Sequence, residues 1–314
     1  MKTSLEKKDV YGMINSMILE KLQQNILPWK QSWNKLGSAR NYISQKPYRG
    51  INAMLLNHTK SEYPLFVTFN QVKELGGHIK KGSKGNIVIF WKKLYYGNEG
   101  KIDARKLKER STEDVKTIPL LRYYYVFNID CVEGVEFRLP EKNLSLQPIE
   151  ECERIVSSMR HPPAIEQGGD QPYYNVAEDK VRVPQLGNFH SEAEYYATLF
   201  HELAHSTGHS SRLNRKLGTG YRTKEYSFEE LIAETAACFL CNEAGISGEV
   251  MDNSASYIKD WLERLPSILK EDDRFFVKAT AQAQRAADYI LGRTEDESAQ
   301  EENKIEMDLE EKGA

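Results

Sequence analysis

Within the apolar run YYATLFHELAHSTGH, His201, Glu202 and His205 form an HExxH pentapeptide. Positions i and i+4 of a helix share a face, so the two imidazoles can grip one metal ion from adjacent turns. Glu202, beside the first ligand, is then placed to take a proton from a bound water. The pentapeptide alone arises by chance, and two core histidines satisfied by hydrogen bonds would spell it equally well. Its setting favours a metal. Tyr195, Tyr196, Leu199, Phe200, Leu203 and Ala204 fit a buried helix, in which polar side chains need a reason to be present.

Such a site needs a third protein ligand. Downstream, YSFEELIAETAACFLCNEAGI sets Glu229, Glu230 and Glu234 in an otherwise apolar helical pattern. Glu230 and Glu234 are again i, i+4. One of them ligating the metal and the other orienting a ligating histidine would offset the cost of burying both. The arrangement resembles the Glu-x-x-x-acid pattern of thermolysin-like zinc peptidases. That resemblance implies Glu230 as ligand and Glu234 as the orienting group, with the reverse order open. A solvated acidic stripe is the plainer alternative. The ion suited to this donor set is Zn²⁺ or another divalent transition metal. The metzincin signature fails, because Ser211 stands where its third histidine would be. Gly208 reads as a helix C-cap and His209 as a loop residue. Either His209 or Tyr221 could donate to an oxyanion in the cleft.

The elements that must position these groups follow from the rest of the chain. With 314 residues there is room for two domains. The net charge of −3 conceals an asymmetry: residues 1–142 carry 25 Lys/Arg against 14 Asp/Glu, and residues 143–314 carry 18 against 32. A basic half beside an acidic one points to a polyanionic partner for the first. Cys131, Cys152, Cys238 and Cys241 form no disulfide framework and read as reduced thiols. No apolar run reaches the length of a membrane span and the N-terminus lacks a signal-peptide core, so a cytoplasmic protein is expected.

Helical spacing runs over 7–25, with short helices near 50–58 and 69–76. GNIVIFWKKLYY (85–96) and LRYYYVFNID (121–130) are β-rich, and the charged segment 97–118 between them reads as a long loop. LPEKNLSLQP (139–148) reads as a linker. A helix near 149–160, one strand over 173–184, the HExxH helix and helices at 253–270 and 273–291 follow. This divides the chain into residues 1–140, residues 149–292 and an acidic tail, 293–314, expected to be disordered.

The first half interleaves cations with aromatics: Trp29, Lys30, Trp33, Lys35, Arg40, Tyr42, Lys46, Tyr48 and Arg49, then GGHIKKGSKG with Lys80, Lys81 and Lys84 before Phe90 and Trp91. Single-strand binders combine a positive groove with stacking platforms in this way. The ordered motifs NILPWKQSW, RNYISQKPYRGIN, TFNQVKELGGHIKKGSKGNIVIFWK and YYYVFNIDCVEG, followed by HELAHSTGHSSRLNR and YSFEELIAETAACFL, resemble the ArdC-type antirestriction proteins from about Asp9 to Leu291.

The resemblance implies an α+β protein, with an SSB/OB-like domain that binds single-stranded DNA followed by a zincin-like metallopeptidase domain. It implies relation to the N-terminal region of plasmid TraC primases, a cytoplasmic setting and spread by conjugative mobile elements. Carried over by position, it implies DNA contacts at Trp29, Trp33, Tyr48, Arg49, Asn52, Lys81 and Lys84, and a metal shell of His201, His205 and a glutamate of EELIAE, with Glu202 as general base. A protein substrate or a restriction endonuclease would be the further partner. The competing reading is a non-catalytic DNA-binding and interaction module with a structural metal. The intact Glu202 favours catalysis, since a structural site needs no base. A nuclease or primase is disfavoured, because the basic half lacks a carboxylate cluster for two-metal chemistry.

Overall fold

The computed structural model describes residues 9–29, 38–56, 59, 61, 63–97, 100–102, 115–139, 148–218, 223–246 and 255–293. Helix α1 (Val10–Gln23) starts at Asp9, whose side chain accepts from the Gly12 N–H. It buries Val10, Ile14, Ile18 and Leu22, an i, i+4 stripe. Strand β1 (Arg40–Asn41), helix α2 (Gly50–Leu56), strand β2 (Leu65–Thr68) and helix α3 (Phe69–Glu74) follow. A reciprocal capping box between Thr68 and Gln71 opens α3. Beyond β3 (His78–Ile79) come β4 (Asn86–Gly97), β5 (Gly100–Ile102), β6 (Lys116–Asn128) and β7 (Val132–Glu133).

The main sheet has the order β1-β2-β6-β4-β5, with β1 parallel to β2 and the other pairs antiparallel. Among the described residues no pairing joins β1 to β5, so the sheet is open and mixed. The expected loop at 97–118 is shorter than its charge pattern suggested. The β4–β6 ladder continues to Tyr96↔Lys116, since Leu94, Tyr95 and Tyr96 opposite Thr117 and Ile118 have the aromatic and β-branched character that suits a half-exposed ribbon.

In the second half, α4 (Pro148–Ser158) precedes a three-stranded sheet of order β8-β10-β9. Strand β8 (Ala164–Gln167) runs parallel to β10 (Lys180–Val183), and β9 (Tyr173–Asn175) antiparallel to it. The single strand expected over 173–184 is therefore a hairpin. Asn175 Oδ1 accepts from the Ala177 and Glu178 N–H groups, and Asp179 has φ +48°, so the chain reverses where alternation alone reads as continuous. Helices α5 (Glu192–Ser206), α6 (Lys224–Ala244), α7 (Ala255–Glu271) and α8 (Phe275–Ile290) complete the fold.

The largest apolar core crosses the expected domain division. It joins Ile14, Ile18, Leu22, Trp29, Met54 and Ile89 to residues of α4 through α8. A smaller cluster of Tyr48, Leu56, Phe66, Val88 and Val126 lies on the other side of the sheet. Most of the expected linker, and the tail beyond Arg293, lie outside the described residues. No helix among the described residues is long and apolar enough to cross a membrane. All four cysteines are free thiols.

Candidate metal centre

Helix α5 is capped by Ser191, which accepts from the Glu194 N–H, and α6 by Thr223, which accepts from the Tyr226 N–H. Both helices are nearly encircled by apolar neighbours. Several of their inward polar groups meet one another. His201 Nε2 and His205 Nε2 are 3.1 Å apart. Glu230 reaches both, with Oε2 3.8 Å from His201 Nε2 and Oε1 3.5 Å from His205 Nε2. One ligand atom from each of the three lies within 4.8 Å of the others, the convergence a single ion requires.

The surrounding charge suits a cation. Burial alone would depress the His205 imidazole, but Glu229, Glu230 and Glu202 around it hold its pKa up at about 9. Glu202 is buried, and burial raises its carboxyl to about 7 against the opposing pull of His205. Its carboxylate accepts from the Tyr174 backbone N–H, so edge strand β9 orients it. Two imidazoles, one converging carboxylate and an excess of negative charge fit a divalent transition metal.

The group that orients His205 differs from the sequence expectation. Glu229 Oε1 lies 3.3 Å from His205 Nδ1, and Arg215 binds the same carboxylate through Nη2 at 2.6 Å and Nε at 3.1 Å. Burial pushes Glu229 up, but His205 and Arg215 hold it net below the usual carboxylate range. Glu234, expected in this role, points elsewhere: it accepts from Trp29 Nε1 at 2.6 Å and from the Tyr257 hydroxyl. Glu234 shares the face of Glu230 but sits one turn farther along. Its neighbour Glu229 has the rotation that meets Nδ1. Neither Arg215 nor the Tyr174 N–H is evident from sequence; the two arginines of HSSRLNR, just past a buried helix, are the one available signal.

Other expectations also change. Gly208 does not adopt a left-handed cap; its missing side chain admits Leu217, whose Cδ2 would be 2.5 Å from a Cβ there. His209 Nδ1 bonds the Ser211 hydroxyl at 2.8 Å, and Tyr221 lies outside the described residues.

The DNA residues divide sharply. Trp29 is 2% exposed, stacked on Phe276 and edge-on to Trp261, so its ring is not open to a base. Tyr48 is buried against Phe66. Arg49 is paired with Asp288 in a nearly buried bridge between α2 and α8. Asn52 donates to Ile89 O at 2.7 Å and accepts from Ile89 N at 2.8 Å, closing the edge of β4 in place of a neighbouring strand. These four are packing and bonding residues, because α2 and the LPW segment face the shared core. Trp33 lies outside the described residues. Lys81 and Lys84 are exposed.

Comparison with known proteins accords with this geometry. Residues 8–127 match the N-terminal domain of anti-restriction factor ArdC, and residues 150–282 match a zincin-like metallopeptidase domain. The crystal structure of the antirestriction protein ArdC from plasmid R388, metal-free, superimposes with a TM-score of 0.68 at 31% identity, covering 90% of this chain and 96% of that one. The chain belongs to the ArdC family of antirestriction proteins. The Mn(II)-bound structure of R388 ArdC matches similarly, at TM-score 0.67 and 32% identity. Protein y4eC of Sinorhizobium fredii is 30% identical over 298 residues, covering 92% of this chain and 93% of its own. A DNA primase TraC of Escherichia coli is 29% identical over 297 residues, and the chain spans 20% of that relative's length. The two ArdC-family modules therefore account for most of the chain, and the HExxH helix lies inside the second.

Proposed function

We propose that this protein acts as an ArdC-type antirestriction factor that binds single-stranded DNA through its N-terminal half and carries a hydrolytic zincin centre in its C-terminal half. The observation that carries the second part is the convergence of His201, His205 and Glu230, with Glu202 buried beside them on the Tyr174 N–H. His201, His205 and Glu230 would hold Zn²⁺ or, as in the R388 relative, Mn²⁺. The bound ion supplies Lewis acidity to water and to a peptide carbonyl.

The protein's own groups do the rest. Glu202 Oε, raised to about 7, is suited to accept a proton from water near neutral pH and return it to a leaving amine. The strand around Val181–Val183, which the sequence offers for pairing with an extended peptide by strand addition, is the central strand β10, between β8 and β9.

For DNA, Lys81 and Lys84 lie on the turn that leads into β4. Gly85 there is pressed against Tyr125, which is 47% exposed; a Cβ on Gly85 would stand 3.0 Å from Tyr125 Cβ. The register Ile87↔Tyr125, Ile89↔Tyr123 and Trp91↔Leu121 puts Tyr125, Tyr123 and Trp91 on one face, where Ile89 and Tyr123 pack on the shared core and Tyr125 and Trp91 stay exposed at either end. Exposed Lys81, Lys84, Tyr125 and Trp91 are the groups that would meet a single strand, as cations and stacking rings. The partner on the peptidase side is a protein substrate or a restriction endonuclease, in a cytoplasmic setting.

The test is metal content and peptide hydrolysis of the full chain. His201→Ala, His205→Ala and Glu230→Gln lose stoichiometric metal, while Glu202→Gln keeps it and loses hydrolysis. Full metal after removal of either histidine overturns the centre. Metal without hydrolysis in the unmodified protein would favour the interaction-module reading instead.

A further inference from the structure

The LPW motif and Glu234 have no part in the chemistry above, yet they meet each other across 205 residues of chain. Glu234 is a buried carboxylate, 6% exposed, that accepts from Trp29 Nε1 at 2.6 Å and from the Tyr257 hydroxyl. A carboxylate is costly to bury unless neighbouring donors are aimed at it. Keeping one here on a helix that already carries two functional glutamates calls for a reason.

The helix itself supplies one. The buried surface of α6 combines Leu231, Ile232 and Leu240, whose packing seats the helix, with Ala233, Ala236 and Ala237 around the glutamates, all fully buried. Such small side chains contribute apolar area but interlock little, and apolar attraction is non-directional. Beyond this packing, directional bonds refine the rotation of α6 about its axis: Glu229 to His205 and Arg215 near its start, and Glu234 to Trp29 and Tyr257 one turn beyond Glu230. Trp29 is itself immobilised, with its ring centroid 5.0 Å from Trp261 and 6.1 Å from Phe276. Metal ligands must be held within about 0.5 Å and 10–20° of the productive geometry, so the rotation of α6 matters directly to Glu230.

We propose that Trp29 is a positioning residue of the metal centre: its indole N–H, through Glu234, fixes the rotation of α6 that brings Glu230 to His201 and His205. The inference rests on the metal-binding reading above. It makes the N-terminal half part of the metal centre. By linkage, metal binding favours the seated Trp29 by the same factor with which seated Trp29 favours metal.

The experiment is titration of the full-length, metal-stripped protein with Co²⁺, reading affinity by competition with a chromophoric chelator and ligand geometry by the cobalt d–d absorption. Trp29→Phe keeps a ring between Trp261 and Phe276 but removes the donor. Glu234→Gln keeps the shape and removes the charge. Both are expected to weaken Co²⁺ affinity about tenfold, the low end for groups acting through a ligand's support, and to change the d–d spectrum. Ile14→Val, in the same core but on α1, is expected to lower the melting temperature with affinity and spectrum unchanged. Unaltered affinity and spectrum in both Trp29→Phe and Glu234→Gln overturn the proposal. So does an affinity loss in Ile14→Val that matches theirs at equal loss of melting temperature. If the unmodified protein fails to bind Co²⁺ at all, the metal-binding reading falls, and this inference with it.

Discussion

Arg215 grips the Glu229 carboxylate at 2.6 and 3.1 Å, and through it fixes the Nδ1 side of His205. Both side chains are less than a tenth exposed, so the charge on Glu229 depends on Arg215. Arg215 also donates to Thr207 Oγ1 and Ala204 O, tying the end of α5 to the start of α6. Removing one member of such a buried pair leaves the other uncompensated, at a cost of about 3–5 kcal/mol. Arg215→Ala is therefore expected to lower stability by that order and to weaken metal affinity roughly 10- to 100-fold. Denaturant unfolding and calorimetric metal titration check the two effects separately. A stability loss with unchanged affinity would confine Arg215 to a structural role.

Arg49 and Asp288 form the equivalent bond at the junction of α2 and α8. Arg49→Met is expected to destabilise the protein by up to about 3–5 kcal/mol, since buried Asp288 loses its nearest cation while Gln284 and Arg293 stay beside it. Affinity for a single-stranded oligonucleotide, measured by fluorescence anisotropy where the variant remains folded, should not change. A clear loss of DNA binding there would return Arg49 to the nucleic-acid interface.

On the ribbon face, Tyr125→Ala is expected to weaken single-strand binding by about 1–3 kcal/mol, the usual value of one stacked base. Lys81→Ala combined with Lys84→Ala should act differently, reducing the slope of log affinity against log salt by about 0.7 for each phosphate no longer neutralised. Anisotropy over a salt series distinguishes these effects. Tyr125→Ala binding as tightly as the unmodified protein would show that the strand runs elsewhere.

Acid stability should report the clamp beside the centre. The Arg212 guanidinium bonds Asp179 at 2.8 and 2.7 Å, and this pairing holds the Asp179 carboxyl below its ordinary range. A depressed folded-state pKa stabilises the fold above the unfolded value, near 3.9, and that contribution is lost as pH falls through the folded value. Asp179→Asn tolerates the positive φ at this position and removes only the charge. It is expected to be less stable than the unmodified protein at pH 7, with the gap closing as pH drops below about 4. Urea midpoints at several pH values test this, and a gap independent of pH would rule out the charge as its source.

Much of the centre was legible along the chain. His201, Glu202 and His205 are bound to one helix, whose period alone puts the histidines on one face, and Glu230 stood among the few acids of the next buried pattern. The long helices were legible for the same reason, since each repeats its apolar positions at the spacing its backbone imposes. What lay beyond local period was decided by tertiary structure. Whether Glu229 or Glu234 supports His205 depends on the rotation of α6 against α5, which neighbouring positions in a sequence do not encode. Trp29, Tyr48 and Arg49 have the composition of a nucleic-acid surface, yet Trp29 and Arg49 are turned inward onto α6–α8 and Tyr48 into the smaller cluster on the other side of the sheet; an aromatic or a cation is equally suited to stack on a base or to fill a core. Residue type determined what each group can do, and only the packing of elements far apart in the chain decided which partner it meets.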